Sequence, residues 1–362
     1  MKEDLVQANV REALEAFGRG EIVVVTDDND RENEGDLIIA AAHATPEKMA
    51  FIIRHTCGIV CAPLTGEIAR RLSLQPMVAE NDAIHGTAFT VSVDYRHGTP
   101  TGISADERTA TVRGLANGNT GPADFVRPGH IFPLIAKDGG VLMRSGHTEA
   151  AVDLCKLAGI EPVAAICELV NDDGTVMRGK QVAAFAGHHK LRRIAVADLI
   201  AYRQAREKLV TRVSEFKVSS EVGEFTGYVY VTPFDKVHHY AFVYGAVGDG
   251  RNVPTRLHRA NVVDDVFGGA KPIHASFERF KAAGRGVLVY LRAGVSGVPT
   301  RAVGEGTASE QERSEQWREV GLGAQILRDL QISSIRLLST RARTYVGLAG
   351  FGIEIIATES LE

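Results

Sequence analysis

Short apolar runs alternate with polar, turn-forming segments through the first half of the chain, a pattern typical of a domain that mixes strands and helices. The apolar runs predict strands at residues 22–25, 37–39, 90–93, 131–135 and 163–169. Helical spacing of apolar residues predicts helices along the N-terminus, after Thr45-Pro46, after Ser104 and over 196–203. Ser104 and Glu107 stand in the order of a capping box. The predicted fold class is therefore α/β (α+β).

The length of the chain, 362 residues, exceeds what one ordinary hydrophobic core accommodates, so two domains are expected. The charged amphipathic helix predicted over 196–203 is followed by a polar stretch over 204–212. We place the domain boundary there, which gives a first domain over 1–205 and a second over 206–362.

Composition narrows the class of protein. Hydrophobic residues at 44% and charged residues at 24% are typical of a soluble globular protein. The net charge of −4 argues against a nucleic-acid partner. No apolar run approaches the ~20 residues needed to cross a bilayer, and the charged N-terminus does not resemble a signal peptide. We expect a cytoplasmic protein with no membrane partner.

All 4 cysteines, Cys57, Cys61, Cys155 and Cys167, lie in the first half of the chain. Cys57 and Cys61 are four positions apart, but no second pair follows at a zinc-like spacing. We interpret the four as reduced thiols that belong to the core or lie near a site.

A run of acidic residues with one arginine, Asp27 to Asp36, separates two of the predicted strands. Carboxylate oxygens held by a rigid scaffold are ligands for hard divalent cations such as Mg²⁺. Arg31 within the run suits a phosphate or another oxyanion. The alternative is a charged surface turn.

A second polar segment, Arg144-Ser145-Gly146-His147-Thr148, precedes an apolar helical pattern. Thr148 is the expected N-cap and Glu149 lies in the first turn. A helix N-terminus binds anions, so this segment is a candidate phosphate site. His147 is a candidate metal ligand or proton carrier, and the alternative is an ordinary histidine.

Two isolated residues complete the candidate chemistry. His130 follows Arg127-Pro128-Gly129, and its alternative is a loop histidine after a turn. Glu168 interrupts the apolar run 163–169. A carboxylate is rarely buried without a partner or a task, and the simpler possibility is a strand carboxylate paired with an arginine.

These segments resemble 3,4-dihydroxy-2-butanone 4-phosphate synthase, an enzyme family of riboflavin biosynthesis. The resemblance extends over residues 1–205. The segments that carry it follow one another in the same order as in the family: 27–41, 54–64, 87–95, 101–111, 127–134, 144–154 and 167–178. Several ordered segments are far more specific than one short motif.

The resemblance implies an α/β sandwich that acts as a Mg²⁺- or Mn²⁺-dependent lyase on D-ribulose 5-phosphate, a sugar phosphate. The products are 3,4-dihydroxy-2-butanone 4-phosphate and formate. It also implies a homodimer with the active site at the subunit interface. The implied roles are metal ligation by Glu32 and His147, substrate contact by Arg31, Asp36, Arg144, Ser145, Gly146, Thr148 and Glu168, and catalysis by His130 and Glu168.

The second half resembles GTP cyclohydrolase II, another α/β domain, in segments 256–269, 284–290, 321–330, 335–339 and 345–355. That family holds a zinc ion with three cysteines, and the corresponding positions here are Asn261, Pro272 and His274. Residues 206–362 contain no cysteine. Further departures fall at Ala293 to Gly297, Gln316, Thr340 to Ala342 and Thr344, whereas Arg318 is kept.

These departures predict that the second half keeps the fold without the hydrolytic site, as a binding or regulatory domain, so no zinc cofactor is expected. Two alternatives stay open. The chain could be a bifunctional enzyme with a working cyclohydrolase. The second half could also hold a rebuilt metal site made of His258, His274, Asp264 and Asp265.

Overall fold

The computed structural model describes residues 2–27, 33–81, 86–208, 210–233, 237–292, 321–340 and 353–361. The chain divides into two compact units, Met1–Tyr202 and Arg203–Glu362. Within the described ranges, no helix is both long enough and apolar enough to cross a membrane.

The first unit is one mixed seven-stranded sheet with helices, in the strand order β4-β5-β3-β6-β2-β1-β7. Its strands are β1 Val23–Thr26, β2 Gly35–Ala40, β3 Cys61–Leu64, β4 Val93–Tyr95, β5 Phe125–Ile135, β6 Ala164–Glu168 and β7 Arg192–Ala195. Its helices are α1 Lys2–Gly18, α2 Pro46–His55, α3 Gly66–Arg71, α4 Ala105–Ala116, α5 His147–Leu157, α6 Lys180–His188 and α7 Val196–Gln204.

The alternation of side chains along β2 explains how the sheet is covered. Leu37 and Ile39 are buried in the core that also contains Met49 of α2 and Val112 of α4. Ile38 between them is fully buried and points to the opposite face, because successive strand residues alternate. Helix α5 packs against β2, β3 and β6. The sheet is therefore buried on both faces.

Local sequence signals located most of these elements. The strands predicted at 22–25 and 163–169 are confirmed with their ends shifted by one residue. Those predicted at 37–39 and 131–135 lie inside longer strands. Thr45 accepts a hydrogen bond from the Lys48 amide at the start of α2. Ser104 and Glu107 form the predicted reciprocal capping box at the start of α4.

The strand predicted over residues 90–93 is wrong, because the regular strand β4 is Val93–Tyr95. Thr90 and Val91 are extended, but the Thr90 amide bonds to the Pro133 carbonyl and the Val91 amide to the Gln75 carbonyl. Because these neighbouring residues bond to different segments, only isolated β-bridges form at this point.

The second unit is also a mixed seven-stranded sheet, in the order β14-β13-β11-β12-β10-β9-β8. Its strands are β8 Thr211–Ser220, β9 Gly223–Val231, β10 His238–Gly245, β11 Val253–Arg259, β12 Arg285–Leu291, β13 Ser334–Ser339 and β14 Glu354–Ser360. Helix α8, Lys271–Ala283, packs on β11 and β12, and residues 321–329 are also helical. Both halves thus have the predicted α/β class.

Candidate active site

Two carboxylates face each other at the end of the central strands of the first unit. Asp36, near the start of β2, is the register partner of Glu168, the last residue of β6. Directly opposed residues of an antiparallel pair lie on the same face of the sheet. Asp36 is only 2% exposed, whereas Glu168 is partly exposed. The sheet register therefore brings together two acidic residues that are distant in sequence.

His147 lies beside Asp36, at the start of helix α5. It is the first residue of the helix and is 7% exposed. Its Nδ1 lies 3.8 Å from Asp36 Oδ1, which is longer than a hydrogen bond. An imidazole beside a buried carboxylate offers two donor groups that a divalent cation can use.

The start of helix α5 differs from the prediction. Gly146, not Thr148, is the N-cap, and Thr148 is the second helical residue. A Cβ atom at position 146 would lie 2.4 Å from Arg144 Nη1. A side chain at position 146 would therefore displace the Arg144 guanidinium group from the space in front of the helix.

Arg144 is held beside this helix N-terminus. Its Nη1 donates to Glu149 Oε2 at 2.6 Å, and its Nη2 donates to Thr87 Oγ1 at 3.1 Å. Burial raises the pKa of Glu149, while the charge of Arg144 opposes that rise. A fixed guanidinium beside the N–H groups of a first helical turn is an arrangement that suits an anion.

His130 belongs to a separate group, in which Asp94 of β4 orients it. Asp94 Oδ1 accepts a hydrogen bond from the His130 amide at 2.8 Å, and Asp94 Oδ2 lies 2.7 Å from His130 Nδ1. The His130 side chain is 44% exposed and that of Asp94 only 8%. A carboxylate at Nδ1 favours a proton there and leaves Nε2 for proton exchange with a ligand. An added Cβ at Gly102 would lie 2.0 Å from Asp94 Oδ2, so the loop at Gly102 closes over this pair.

The acidic segment contributes in different ways. Arg31 and Glu32, with Asp28 and Asp30, lie outside the described residues. Asp27 accepts a hydrogen bond from the Glu34 amide at 2.8 Å, and Glu34 lies 3.4 Å from Arg178. The alternative of a charged surface turn does not suit Asp27 or Asp36, which are both buried, and Glu34 is half-buried beside Arg178.

In the second unit, Asp265 is the centre of a hydrogen-bonded group near Asn261. Its Oδ1 lies 2.9 Å from His258 Nε2, and its Oδ2 accepts from Tyr290 Oη at 2.7 Å and from the Asn261 amide at 3.1 Å. Pro272 and His274 lie in the first turn of α8.

The structure does not assemble the rebuilt metal site considered above. Among the residues that the structure describes, the one group of three or more His, Cys, Asp or Glu ligand atoms within 4.8 Å is Cys57, Cys167 and Glu168, in the first unit. Positions 293–297, 316, 318, 341–342 and 344 lie outside the described residues.

Comparison with known families matches the two halves of the chain to two different families. Residues 11–202 match the family model of 3,4-dihydroxy-2-butanone 4-phosphate synthase. The chain belongs to this family. Residues 211–360 match the model of GTP cyclohydrolase II, so the synthase domain is followed by a cyclohydrolase-II-like domain.

Curated relatives resemble the synthase chain along almost its whole length. The bifunctional riboflavin biosynthesis protein RIBA 1, chloroplastic, of Arabidopsis thaliana is 44% identical over 369 residues, which cover 96% of this chain and 68% of that protein. The monofunctional riboflavin biosynthesis protein RIBA 2, chloroplastic, of the same plant is 44% identical over 360 residues, which cover 96% of this chain and 76% of that protein.

Two solved structures are also similar. RibBX, a two-domain 3,4-dihydroxy-2-butanone 4-phosphate synthase from A. baumannii, superposes with a TM-score of 0.80 at 37% identity and covers 97% of this chain and 98% of its own. A 3,4-dihydroxy-2-butanone 4-phosphate synthase in complex with two magnesium ions superposes with a TM-score of 0.53 at 46% identity, covering 54% of this chain and 97% of its own.

Sequence reasoning missed Asp94, which shapes the candidate site, and interpreted Cys57 only as one of four thiols in the core or near a site. Asp94 is an acidic residue inside an apolar strand, the same signal that singled out Glu168. Cys57 donates its thiol to Glu168 Oε2 at 3.0 Å, a contact that only the tertiary structure reveals.

Proposed function

We propose that the first domain converts D-ribulose 5-phosphate to 3,4-dihydroxy-2-butanone 4-phosphate and formate for riboflavin biosynthesis. The two products together contain every atom of the substrate, so the reaction is a lyase step that needs no added water. The observation that carries the proposal is that the buried Asp36 lies opposite Glu168 and beside His147, at the helix start that Arg144 flanks. The test is formate release from ribulose 5-phosphate in the presence of Mg²⁺, and a folded protein that releases none would refute it.

We assign a divalent metal, Mg²⁺ or Mn²⁺, to Glu32 and His147. The buried Asp36 carboxylate near His147 makes the local charge negative, which suits a cation. When bound, such a cation polarises the carbonyl oxygen and neutralises charge that develops on it. The similar synthase crystallised with two magnesium ions supports this assignment.

The protein's own residues supply binding and proton transfer. Arg144, with the backbone around Ser145, Gly146 and Thr148, holds the phosphate, and Arg31 and Asp36 contact the sugar. Enolising a ketose phosphate requires a base near a C–H bond, and later steps return protons to carbon and oxygen. His130, oriented by Asp94, and Glu168 are the groups that we assign to these transfers.

The phosphate assignment predicts the effect of Arg144→Ala. The substitution should weaken substrate binding by about 2–3 kcal/mol, the contribution of a charge-assisted hydrogen bond. Unphosphorylated ribulose should be a very poor substrate of the wild-type protein. The measurement is KM and Kd for ribulose 5-phosphate in both proteins. Equal efficiency on ribulose with and without phosphate would contradict the assignment.

A matched double variant controls for structural damage. Arg144→Ala alone leaves the buried Glu149 carboxylate without its charged partner, which destabilises the fold. Arg144→Ala combined with Glu149→Gln removes that buried charge. The double variant should regain thermal stability while its substrate affinity stays low. Recovery of affinity together with stability would show that Arg144 acts only through packing.

For the second domain we propose that the cyclohydrolase fold is kept without its reaction. Neither Asn261 nor Pro272 can supply a thiolate, and residues 206–362 contain no cysteine. Asp265 already bonds to His258 and Tyr290. The alternative is a bifunctional enzyme, as the Arabidopsis RIBA 1 protein is named, whereas RIBA 2 is named monofunctional.

The expected result is that the purified full chain consumes no GTP, even with added Zn²⁺. Without a metal to activate water, opening the guanine ring lacks its nucleophile. The measurement is GTP consumption by chromatography, with a cysteine-containing GTP cyclohydrolase II as the assay control. Consumption of GTP that depends on zinc would contradict this proposal and favour the bifunctional alternative.

We also propose that the protein is a cytoplasmic homodimer, as the resemblance implies. Light scattering of the purified chain would test the dimer, and a monomeric mass with full activity would contradict it.

A further inference from the structure

The thiols of Cys57 and Cys167 meet the Glu168 carboxylate at the end of strand β6. Cys57 Sγ lies 3.5 Å from Cys167 Sγ and 3.0 Å from Glu168 Oε2. The Cys57 amide also donates to the Glu168 carbonyl at 2.9 Å. Cys167 and Glu168 are consecutive strand residues that point to opposite faces. Cys57 contacts both because it lies beside the strand end.

The spacing of these atoms matches that of ligands around one tetrahedral cation. With Zn–S near 2.3 Å and Zn–O near 2.1 Å, tetrahedral geometry separates two sulfurs by about 3.8 Å and a sulfur from an oxygen by about 3.6 Å. Small side-chain movements therefore suffice to place Cys57, Cys167 and Glu168 around a zinc ion. Cys57 is exposed, Glu168 is partly exposed and Cys167 is buried, so solvent reaches the group from the side of Cys57.

We propose that Cys57, Cys167 and Glu168 form a binding site for a thiophilic divalent cation, represented by Zn²⁺. Two thiolates and one carboxylate select zinc or cadmium over Mg²⁺, which prefers oxygen ligands. The site is distinct from the Mg²⁺ ligands that we assign, Glu32 and His147. Zinc at this site is an inhibitor rather than a cofactor. It binds the Glu168 carboxylate, which we assign to proton transfer in the synthase reaction.

Binding of the cation forms two metal–sulfur bonds and releases the two thiol protons. Affinity should therefore rise with pH. The contact with Cys57, together with burial, raises the pKa of Cys167, while the contact with Cys167 lowers the pKa of Cys57. Cys57 is thus the thiol that loses its proton first, and the cation reaches it first because it is exposed.

The test uses Cd²⁺ as the probe on the full chain, in excess Mg²⁺. Thiolate-to-cadmium charge-transfer absorption should saturate at one Cd²⁺ per chain and should disappear on addition of Zn²⁺. Cys167→Ser should weaken this binding by more than about 100-fold, since losing even an outer partner of a metal site costs about 10–100-fold. An unsaturable signal, or an unchanged one in Cys167→Ser, would overturn the proposal.

Two further variants make the result specific. Cys155→Ser is the matched control, because Cys155 is another buried thiol that donates to a backbone carbonyl, at 3.4 Å, as Cys167 does at 3.3 Å. Its cadmium binding should equal that of the wild type, and a loss equal to that in Cys167→Ser would overturn the proposal. Cys57→Ser changes an exposed position and should also abolish the signal.

The inhibitory consequence rests on the proposed synthase function. Zn²⁺ should stop formate release from ribulose 5-phosphate in the wild type and in Cys155→Ser, and added Mg²⁺ should not relieve it. Cys167→Ser should keep its activity at the same Zn²⁺ concentration. Equal zinc sensitivity of Cys167→Ser would place the inhibition elsewhere and overturn this step. The cadmium signal does not require turnover, so it stands even where the proposed function fails.

Discussion

Replacing Glu168 with Gln should lower the rate of formate release by about 10²–10⁴-fold, the contribution of a positioned acid–base group. Glutamine keeps the size and polarity of the side chain but cannot exchange a proton. Glu168 lies opposite the buried Asp36, so the position is already built to accept a polar group. The measurement is kcat and KM for ribulose 5-phosphate, with circular dichroism to verify the fold.

Glu359→Gln is the matched control for this substitution. Glu359 is a strand carboxylate paired with Arg336 at 3.1 Å, which is the ordinary structural role that Glu168 could have had. Its replacement should leave turnover within a factor of about two, because Glu359 belongs to β14 of the second unit and has no part in the proposed reaction. Similar losses in both variants would show that Glu168 has no catalytic role.

Removal of the metal should have the second large effect. Chelation should abolish formate release, and Mg²⁺ or Mn²⁺ should restore it, because the charge that develops on the carbonyl oxygen then has no cation to neutralise it. His147→Ala should have a comparable effect on turnover while the fold persists. Full activity in excess chelator would contradict the metal assignment.

His43→Ala provides the comparison for His147. His43 lies in a short 3-10 helix outside the candidate site, so its loss should leave the Mg²⁺ dependence unchanged. His147→Ala should raise the Mg²⁺ concentration needed for half-maximal activity as well as lower turnover. A change in turnover with no change in the Mg²⁺ requirement would show that His147 acts in another way.

Much of the secondary structure could be predicted because its signals are local. The valines of β1 and the capping box of α4 lie within a few residues of the elements that they define. Thr148 shows the limit of such reasoning. Its hydroxyl makes it a good N-cap in isolation, but the helix already begins at His147, so Gly146 is the N-cap and Thr148 is the second helical residue. The residue type at one position does not show where the chain enters the helix.

The candidate site was predictable as a set of residue types but not as a geometry. Glu168 stood out against its apolar neighbours, and the other candidates stood in short polar segments between apolar runs. The pairing of Asp36 with Glu168 depends on the register of β2 and β6, which no local pattern fixes. The orientation of His130 depends in the same way on Asp94, which lies on a different strand.

The central claim is tested most directly by carbon-13 NMR of uniformly labelled D-ribulose 5-phosphate incubated with the full chain and Mg²⁺. Labelled formate and a labelled four-carbon ketose phosphate should appear in equal amounts as the substrate disappears. Glu168→Gln serves as the blank and should leave the substrate unchanged over the same time. Persistence of the substrate with folded wild-type protein, or products other than this pair, would contradict the proposed synthase activity.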